Sequence, residues 1–179
     1  MGTTPTYSWP YPESTDPVAN GAQDIEDLAL AVETTVSGIT GGKILQVVRA
    51  TDTTNRSTTS TSLVDANISV TITPTSATST ILILWTAAWV VTPGTPKIAE
   101  FAITDSSNVE IEGAESDRVG INSSDTPYGY VTMFGYDSPA TTSATTYKGR
   151  FMVLSGSSAT VTLENATRTG QMFALEISA

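Results

Sequence analysis

The chain has 179 residues and no His and no Cys, so the side chains most often used for nucleophilic and general-base chemistry near neutral pH are missing. A Ser-His-Asp or Cys-His mechanism cannot be assembled, and a zinc site would have to be built from carboxylates alone. What remains is carboxylate chemistry. Two acidic residues flanking a glycosidic bond suffice to hydrolyse it, but no pair among the 18 Asp and Glu stands out from surface charge, and no enzymatic activity is expected. The densest acidic cluster of the C-terminal part is Glu110, Glu112, Glu115 and Asp117. On a strand, Glu110 and Glu112 would share a face, which would make a Ca²⁺ site if repeated around a threefold axis. The spacing matches no EF-hand loop and a solvated face is the commoner outcome, so no metal and no cofactor is assigned.

Binding chemistry is better represented. Tyr128, Tyr130, Phe134 and Tyr136 fall on one face of a strand. Such aromatic rows bind sugar rings when exposed, although inward packing in a core is commoner. If the row is exposed, Tyr128, Tyr130 and Tyr136 are the leading receptor contacts. Trp85 and Trp89 share a face with Ala87 between them, as core or as a trimer interface. At the N-terminus Tyr7, Trp9 and Tyr11 alternate with Ser8 and Pro10, which on an extended chain puts three aromatics on one side. With Pro10 and Pro12 they form a peptide suited to docking on a partner, since Trp and Tyr are favoured interface anchors. A disordered tail is the alternative. Four Asn-X-Ser/Thr sequons, at Asn55, Asn67, Asn122 and Asn165, are expected by chance in so Ser/Thr-rich a chain.

Composition sets the class of protein that must carry these residues. Apolar residues make up 39% and charged residues 15%, with Thr and Ser supplying the polarity. The abundance of Val, Ile, Thr, Tyr and Trp excludes a disordered chain and points to an ordered, β-rich protein. A formal charge of −10 and a pI near 4.2 argue against nucleic-acid binding, which rests on Lys and Arg. Six acids (Glu13, Asp16, Asp24, Glu26, Asp27, Glu33) precede residue 41 with no basic residue among them, so a socket for that segment would be neutral or basic. Without Cys, neither disulfides nor thiolate sites hold the fold. The N-terminus lacks the basic and apolar regions of a secretory signal. The longest apolar run, 81–91, is interrupted by Thr86 and falls short of the roughly 20 residues that span a bilayer. The reading is a soluble protein that folds in the cytoplasm where it is made, with no membrane insertion.

Three segments follow. Residues 1–19 hold Pro5, Pro10, Pro12 and Pro17, which exclude a helix or a central strand and predict an extended peptide. Residues 20–42 predict one helix, with Asn20 as N-cap, Gln23 closing a capping-box-like pair, and an end at Gly38 after about Ser37. Ala22, Ile25, Leu28, Ala29, Val32 and Val36 give it a narrow apolar seam. A helix this short is marginal alone, so the seam must pack, either on the chain's own β-domain or in a parallel threefold bundle favoured by β-branched seam residues. Gly38, Gly41 and Gly42 supply a flexible joint. Residues 43–179 predict strands at 43–51, 66–73, 80–91, 98–104, 109–112, 128–136, 145–154, 159–163 and 171–178, with 80–91 apolar on both faces and central. Turn clusters at 92–94, 105–108 and 155–158 separate them. Short strands without intervening helices imply a mainly β fold, an antiparallel, jelly-roll-like β-sandwich.

The segment Tyr11-Pro12-Glu13, followed by Asp16-Pro17-Val18-Ala19-Asn20-Gly21-Ala22-Gln23-Asp24-Ile25, resembles the N-terminal region of tailed-bacteriophage fibre and minor tail proteins. Ile44-Leu45-Gln46-Val47-Val48, residues 68–79, Ile81-Leu82-Ile83, the stretch from Asp137-Ser138-Pro139 to Thr146-Tyr147, and Ala174-Leu175-Glu176-Ile177 resemble a β-domain common in phage virion proteins. The resemblance implies a homotrimer on the exterior of the particle. Tyr7, Trp9, Pro10, Tyr11 and Pro12 would anchor it to other virion proteins. Ile25, Leu28, Val32 and Val36 would align three helices, and the β-domain would be displayed toward a glycan or protein of the host surface. The chain lacks the long shaft usual in host-binding fibres, which leaves a head fibre or a capsid decoration protein as alternatives. A free carbohydrate-binding module also fits the sandwich but gives the N-terminal segment no purpose.

Overall fold

Proline spacing limits the first element to a minimal hairpin. The computed structural model describes residues 2–38, 42–93, 97–121, 125–154 and 158–179, and the chain divides into two compact units, Met1–Gly41 and Gly42–Ala179. Of the expected glycine joint of Gly38, Gly41 and Gly42, Gly41 lies outside the described residues, as do parts of the turns at 92–94 and 155–158. In the first unit β1 (Gly2–Thr3) pairs antiparallel with β2 (Pro10–Tyr11). Pro10 and Pro12 have no N–H for a ladder, so the pairing stops there. Ser8, at φ 54°, turns the chain, and Tyr7 stacks on Trp9 with ring centroids 5.0 Å apart.

After one 3-10 turn at Val18–Asn20, α1 runs Gly21–Ser37 and stops at Gly38, as its sequence predicts. The capping box does not form. Asn20, at φ −92° and ψ −4°, belongs to the preceding turn and its side chain caps nothing, while Gln23 Nε2 donates to Asp27 Oδ1 at 3.0 Å. An N-cap side chain reaches the free N–H groups from an extended backbone, which Asn20 does not have. α1 packs on β2, and Trp9 Nε1 donates to Thr35 Oγ1 at 2.9 Å. The packed side therefore follows Asp24, Leu28, Ala31 and Thr35, all buried or half-buried. Of the predicted seam, Leu28 and Val32 are half-buried, whereas Ile25 is 66% and Val36 55% exposed.

The second unit is a two-sheet sandwich. Its strands are β3 (Ile44–Asp52), β4 (Arg56–Thr58), β5 (Val64–Ile72), β6 (Thr80–Thr92), β7 (Lys97–Asp105), β8 (Asp117–Ile121), β9 (Tyr128–Asp137), β10 (Thr145–Val153), β11 (Thr160–Leu163) and β12 (Gly170–Ile177). One sheet has the order β5-β10-β7-β8; the other centres on β6, with β12 and β3 beside its first half, β11 and β4 beside its last residues, and β9 on the opposite edge. The pairs β3 with β12, β5 with β10, β6 with β9 and β7 with β8 nest inside one another. That is one long antiparallel hairpin rolled over on itself, the jelly roll. The expected strand at 109–112 is reduced to a single bridge, Glu110 with Thr104, because Gly113 at φ 76° turns the chain away. Strands β4 and β8 were not predicted: both are short edge strands, β4 wholly polar and β8 with only Val119 and Ile121 as an apolar pair.

Between the sheets Trp85, Phe101, Tyr147 and Phe151 are fully buried, Trp85 meeting Phe101 edge-on at 5.9 Å. Trp89 packs in the same core at 6.4 Å from Phe101, so both tryptophans belong to the interior and neither forms an exposed interface. Gly149 makes room for Trp85: a Cβ there would lie 2.9 Å from the indole and from Ile68. Polar latches close the ends. Tyr147 donates to Asp137 Oδ2 at 2.7 Å, and burial with that carboxylate pushes the phenol pKa up. Asp52 accepts from Arg56 Nε at 2.9 Å, Asn165 Nδ2 at 3.0 Å and Thr54 N at 3.1 Å; burial pushes its carboxyl pKa up, but these bonds outweigh it and the net shift is down.

Glu176 is the most buried acid, with no exposed surface. It accepts from Gln46 Nε2 at 2.7 Å, Thr75 N at 2.7 Å and Thr75 Oγ1 at 2.8 Å. Burial raises its pKa, yet these donors prevail and hold it at about 2. The carboxylate thus ties the loop between β5 and β6 to β12 and β3.

Candidate functional site: the outer face of the six-stranded sheet

Strand β9 pairs with β6 as its one strand neighbour, with Tyr136 N donating to Glu112 O at 3.0 Å on its other side, and its burial alternates. Val131 and Met133 point into the core, with Gly129 against Trp89 and Gly135 against Ile111 and Ala114. The aromatic phase therefore points outward: Tyr128 is 75%, Tyr130 65%, Phe134 54% and Tyr136 52% exposed. Inward packing, the commoner alternative in the sequence, is excluded for this row. Trp89 and Ile111 already fill the space beneath β9, and a Cβ on Gly135 would lie 3.0 Å from Ile111. The sequence signal for this phase is the pair of glycines opposite the aromatics, of which Gly135 packs tightly on Ile111 and Ala114.

Register extends the face across the sheet. Leu82 lies between Tyr136 and Leu175, and Leu84 between Phe134 and Phe173; Val47 and Arg49 continue these two rows on β3. The next row is polar throughout, Thr51, Gln171, Thr86 and Thr132, with Thr132 Oγ1 donating to Thr86 Oγ1 at 3.3 Å. Beyond it lie Tyr130 beside Ala88 and Tyr128 beside Val90, and Val90 neighbours Thr162. The polar row thus splits the face into an aliphatic half and a tyrosine half. The opposite sheet is built otherwise: its outward positions on β5 and β10 carry Asp65, Ser69, Thr71, Lys148 and Arg150, while on β7 Glu100 and Thr104 are buried. That is the ordinary polar outer face of an antiparallel sandwich.

In the tyrosine half, the Arg168 guanidinium sits 5.9 Å from the Tyr130 ring centroid and is held by Glu164 Oε2 at 2.7 Å. Two exposed phenol rings, a fixed guanidinium and nearby threonine hydroxyls offer flat apolar faces beside hydrogen-bond donors, the combination that sugar rings require. Tyr136 stands apart from this pair, on the far side of the polar row, where its hydroxyl donates to Thr80 Oγ1 at 3.1 Å. Arg168 comes from the loop after β11, and nothing in the local sequence placed it beside Tyr130.

The acidic cluster does not converge. Glu110 accepts from Ser116 Oγ at 2.9 Å, Asp117 accepts from Arg118 N at 2.8 Å, and among the described residues no group of three carboxylates is placed to hold a metal ion. Glu110 and Glu112 instead line an open cleft of about 400 Å³ together with Asp105, Tyr136 and Asp137. Of the sequons, Asn165 is buried against Asp52, and Asn122 lies outside the described residues. Among the described residues no helix is long and apolar enough to cross a membrane. A scan against protein-family models and a search of curated proteins give no match to this chain.

Proposed function

We propose that this chain is a structural protein of a bacteriophage virion, a short trimeric fibre held by its N-terminal unit and displaying the jelly roll for attachment to the host surface. The observation that carries the reading is the tyrosine half of the outer sheet face. Tyr128 and Tyr130, with 75% and 65% of their surface exposed beside Arg168, form a recognition surface on an edge strand, with a glycan as the favoured ligand. The folded N-terminal hairpin and helix, acidic and aromatic, supports an anchoring role for Tyr7, Trp9, Pro10, Tyr11 and Pro12. The exposed Ile25 and Val36 leave part of the helix free to meet its copies.

A second reading, a head fibre or decoration protein that reinforces the particle, is favoured by the aliphatic half of the same face, which suits assembly and not recognition. Binding of the full chain to an array of bacterial surface glycans separates the two. The expected result is a glycan bound by the wild type and lost in Tyr128→Ala/Tyr130→Ala. Absence of binding, or binding unchanged in the double variant, refutes the adhesion role. Loss of a chain lacking residues 2–38 from purified particles, with its β-domain still folded, tests the anchor.

A further inference from the structure

We infer that the aliphatic half of the outer sheet face, centred on Leu82 and Leu84 with Val47, Phe134, Phe173 and Leu175 around them, is where copies of this chain meet. This rests on the reading of the protein as an assembly and names the surface that builds it. An antiparallel sheet whose outer face meets water alternates apolar and polar residues. Strand β6 breaks that rule over residues 80–84, where Ile81 and Ile83 enter the core while Leu82 and Leu84 point out. Their neighbours across the sheet are also apolar, and Val47 and Phe134 are 55% and 54% exposed. With strands about 4.8 Å apart and residues about 3.3 Å long, the two apolar rows at Leu82 and Leu84, four strands wide, cover roughly 250 Å² in projection. They form the centre of the proposed contact, and the surrounding rim supplies the rest of its area.

Charge selects the occupant. The chain carries a net −10, so its copies must meet through a surface free of carboxylates. The outward positions of β3, β12, β6 and β9 hold no Asp or Glu and a single cation, Arg49, which lies 5.8 Å from the Phe173 ring centroid and donates to Gln171 Oε1. The opposite sheet exposes Asp65 and carries Lys148 and Arg150 beside it, with Glu100 buried against Arg118. A chain this acidic is also repelled by anionic lipid surfaces. An uncharged, apolar face lets copies of an acidic protein meet without bringing carboxylates together, here with three such faces turned toward a common threefold axis.

The test is the mass of the full chain in solution by light scattering. The wild type is expected at three times 18.7 kDa. Val47→Glu/Phe134→Glu is expected to weaken association by roughly a hundredfold or more, because each copy would bring carboxylates into an apolar contact. Both positions are more than half exposed, so the variant should keep the wild-type far-UV circular dichroism. Tyr128→Glu, on the same strand beyond the polar row, should leave the mass unchanged. The second variant, Val47→Lys/Phe134→Lys, should also dissociate, because like charges then meet in the contact whichever sign they carry. A wild-type monomer, or an oligomer untouched by both charged pairs, overturns the inference. The second result would mean that α1 or another surface holds the copies. A wild-type dimer dissociated by the Glu pair supports the face while removing the threefold fibre, and loss of glycan binding with the mass intact leaves the face standing.

Discussion

Replacing Glu176 with Gln removes one charge from the end of the sandwich and leaves the shape of the side chain nearly unchanged. Every partner of this carboxylate is a donor: Gln46 Nε2, Thr75 N and Thr75 Oγ1. An amide can offer one acceptor to Thr75, but its NH₂ would then face the NH₂ of Gln46. Rotating Gln46 to relieve that clash would lose its bond to Thr73 O, now 2.7 Å long. Losing a hydrogen bond to a charged group costs about 1.5–3 kcal/mol. The depression of the Glu176 pKa from 4.5 to about 2 is worth roughly 3 kcal/mol, so the two figures agree. Glu176→Gln should therefore lower the stability of the β-unit by about 2–3 kcal/mol at pH 7, a fall in Tm of roughly 5–10 °C. Because the folded pKa lies below the unfolded one, the contribution is fully present above pH 4.5 and is lost as pH falls toward 2. The gap between wild type and variant should thus narrow steadily from pH 5 to pH 2, since every other carboxylate titrates alike in both. Calorimetry or thermal circular dichroism at pH 7, 4 and 2.5 measures it. Equal stability at pH 7, or a gap of the same size at pH 2.5, would refute the account of Glu176 as a charged latch.

Gly149→Ala should destabilise the sandwich by about 1–3 kcal/mol in denaturant titration, because the added methyl meets Trp85 and Ile68 at 2.9 Å in a filled core. Trp9→Ala should raise amide exchange across residues 21–37, since α1 is short and rests partly on Trp9 through Thr35, and unchanged protection would show that the hairpin does not support the helix. Tyr128→Ala/Tyr130→Ala should change stability by less than about 0.5 kcal/mol while abolishing glycan binding, because both rings stand outside the core.

Strands with clean alternation were legible in the sequence because one face meets a core and the other does not. Residues 64–72 of β5 and 145–153 of β10 show this, and their observed bounds differ from the predicted ones by no more than a residue or two. The helix was legible from its apolar spacing and its terminal glycine, but not its packed side, which follows Asp24 and Thr35 because Trp9 happens to reach Thr35. Edge strands β4 and β8 were missed, since β4 has no apolar residue and β8 offers only Val119 and Ile121, too short an alternation to read as a strand.

Taken alone, the sequence determined that the protein is a β-sandwich with no His and no Cys, and that one strand carries an aromatic row and another is apolar on both sides. It could not determine which phase of β9 faces the core, because large aromatic residues fill an interior as readily as they line a surface. The tertiary structure decided it through volume: Trp89 and Ile111 already occupy the space beneath β9, with Gly135 packed tightly on Ile111 and Ala114 and Gly129 over Trp89, and the tyrosines are left outside. The juxtaposition of Arg168 with Tyr130, and of Val47 and Phe173 with Leu84 and Phe134, is likewise a product of register between strands far apart in the chain. Local sequence carries periodicity; which faces meet is set by long-range pairing and by the space that remains once the core is filled.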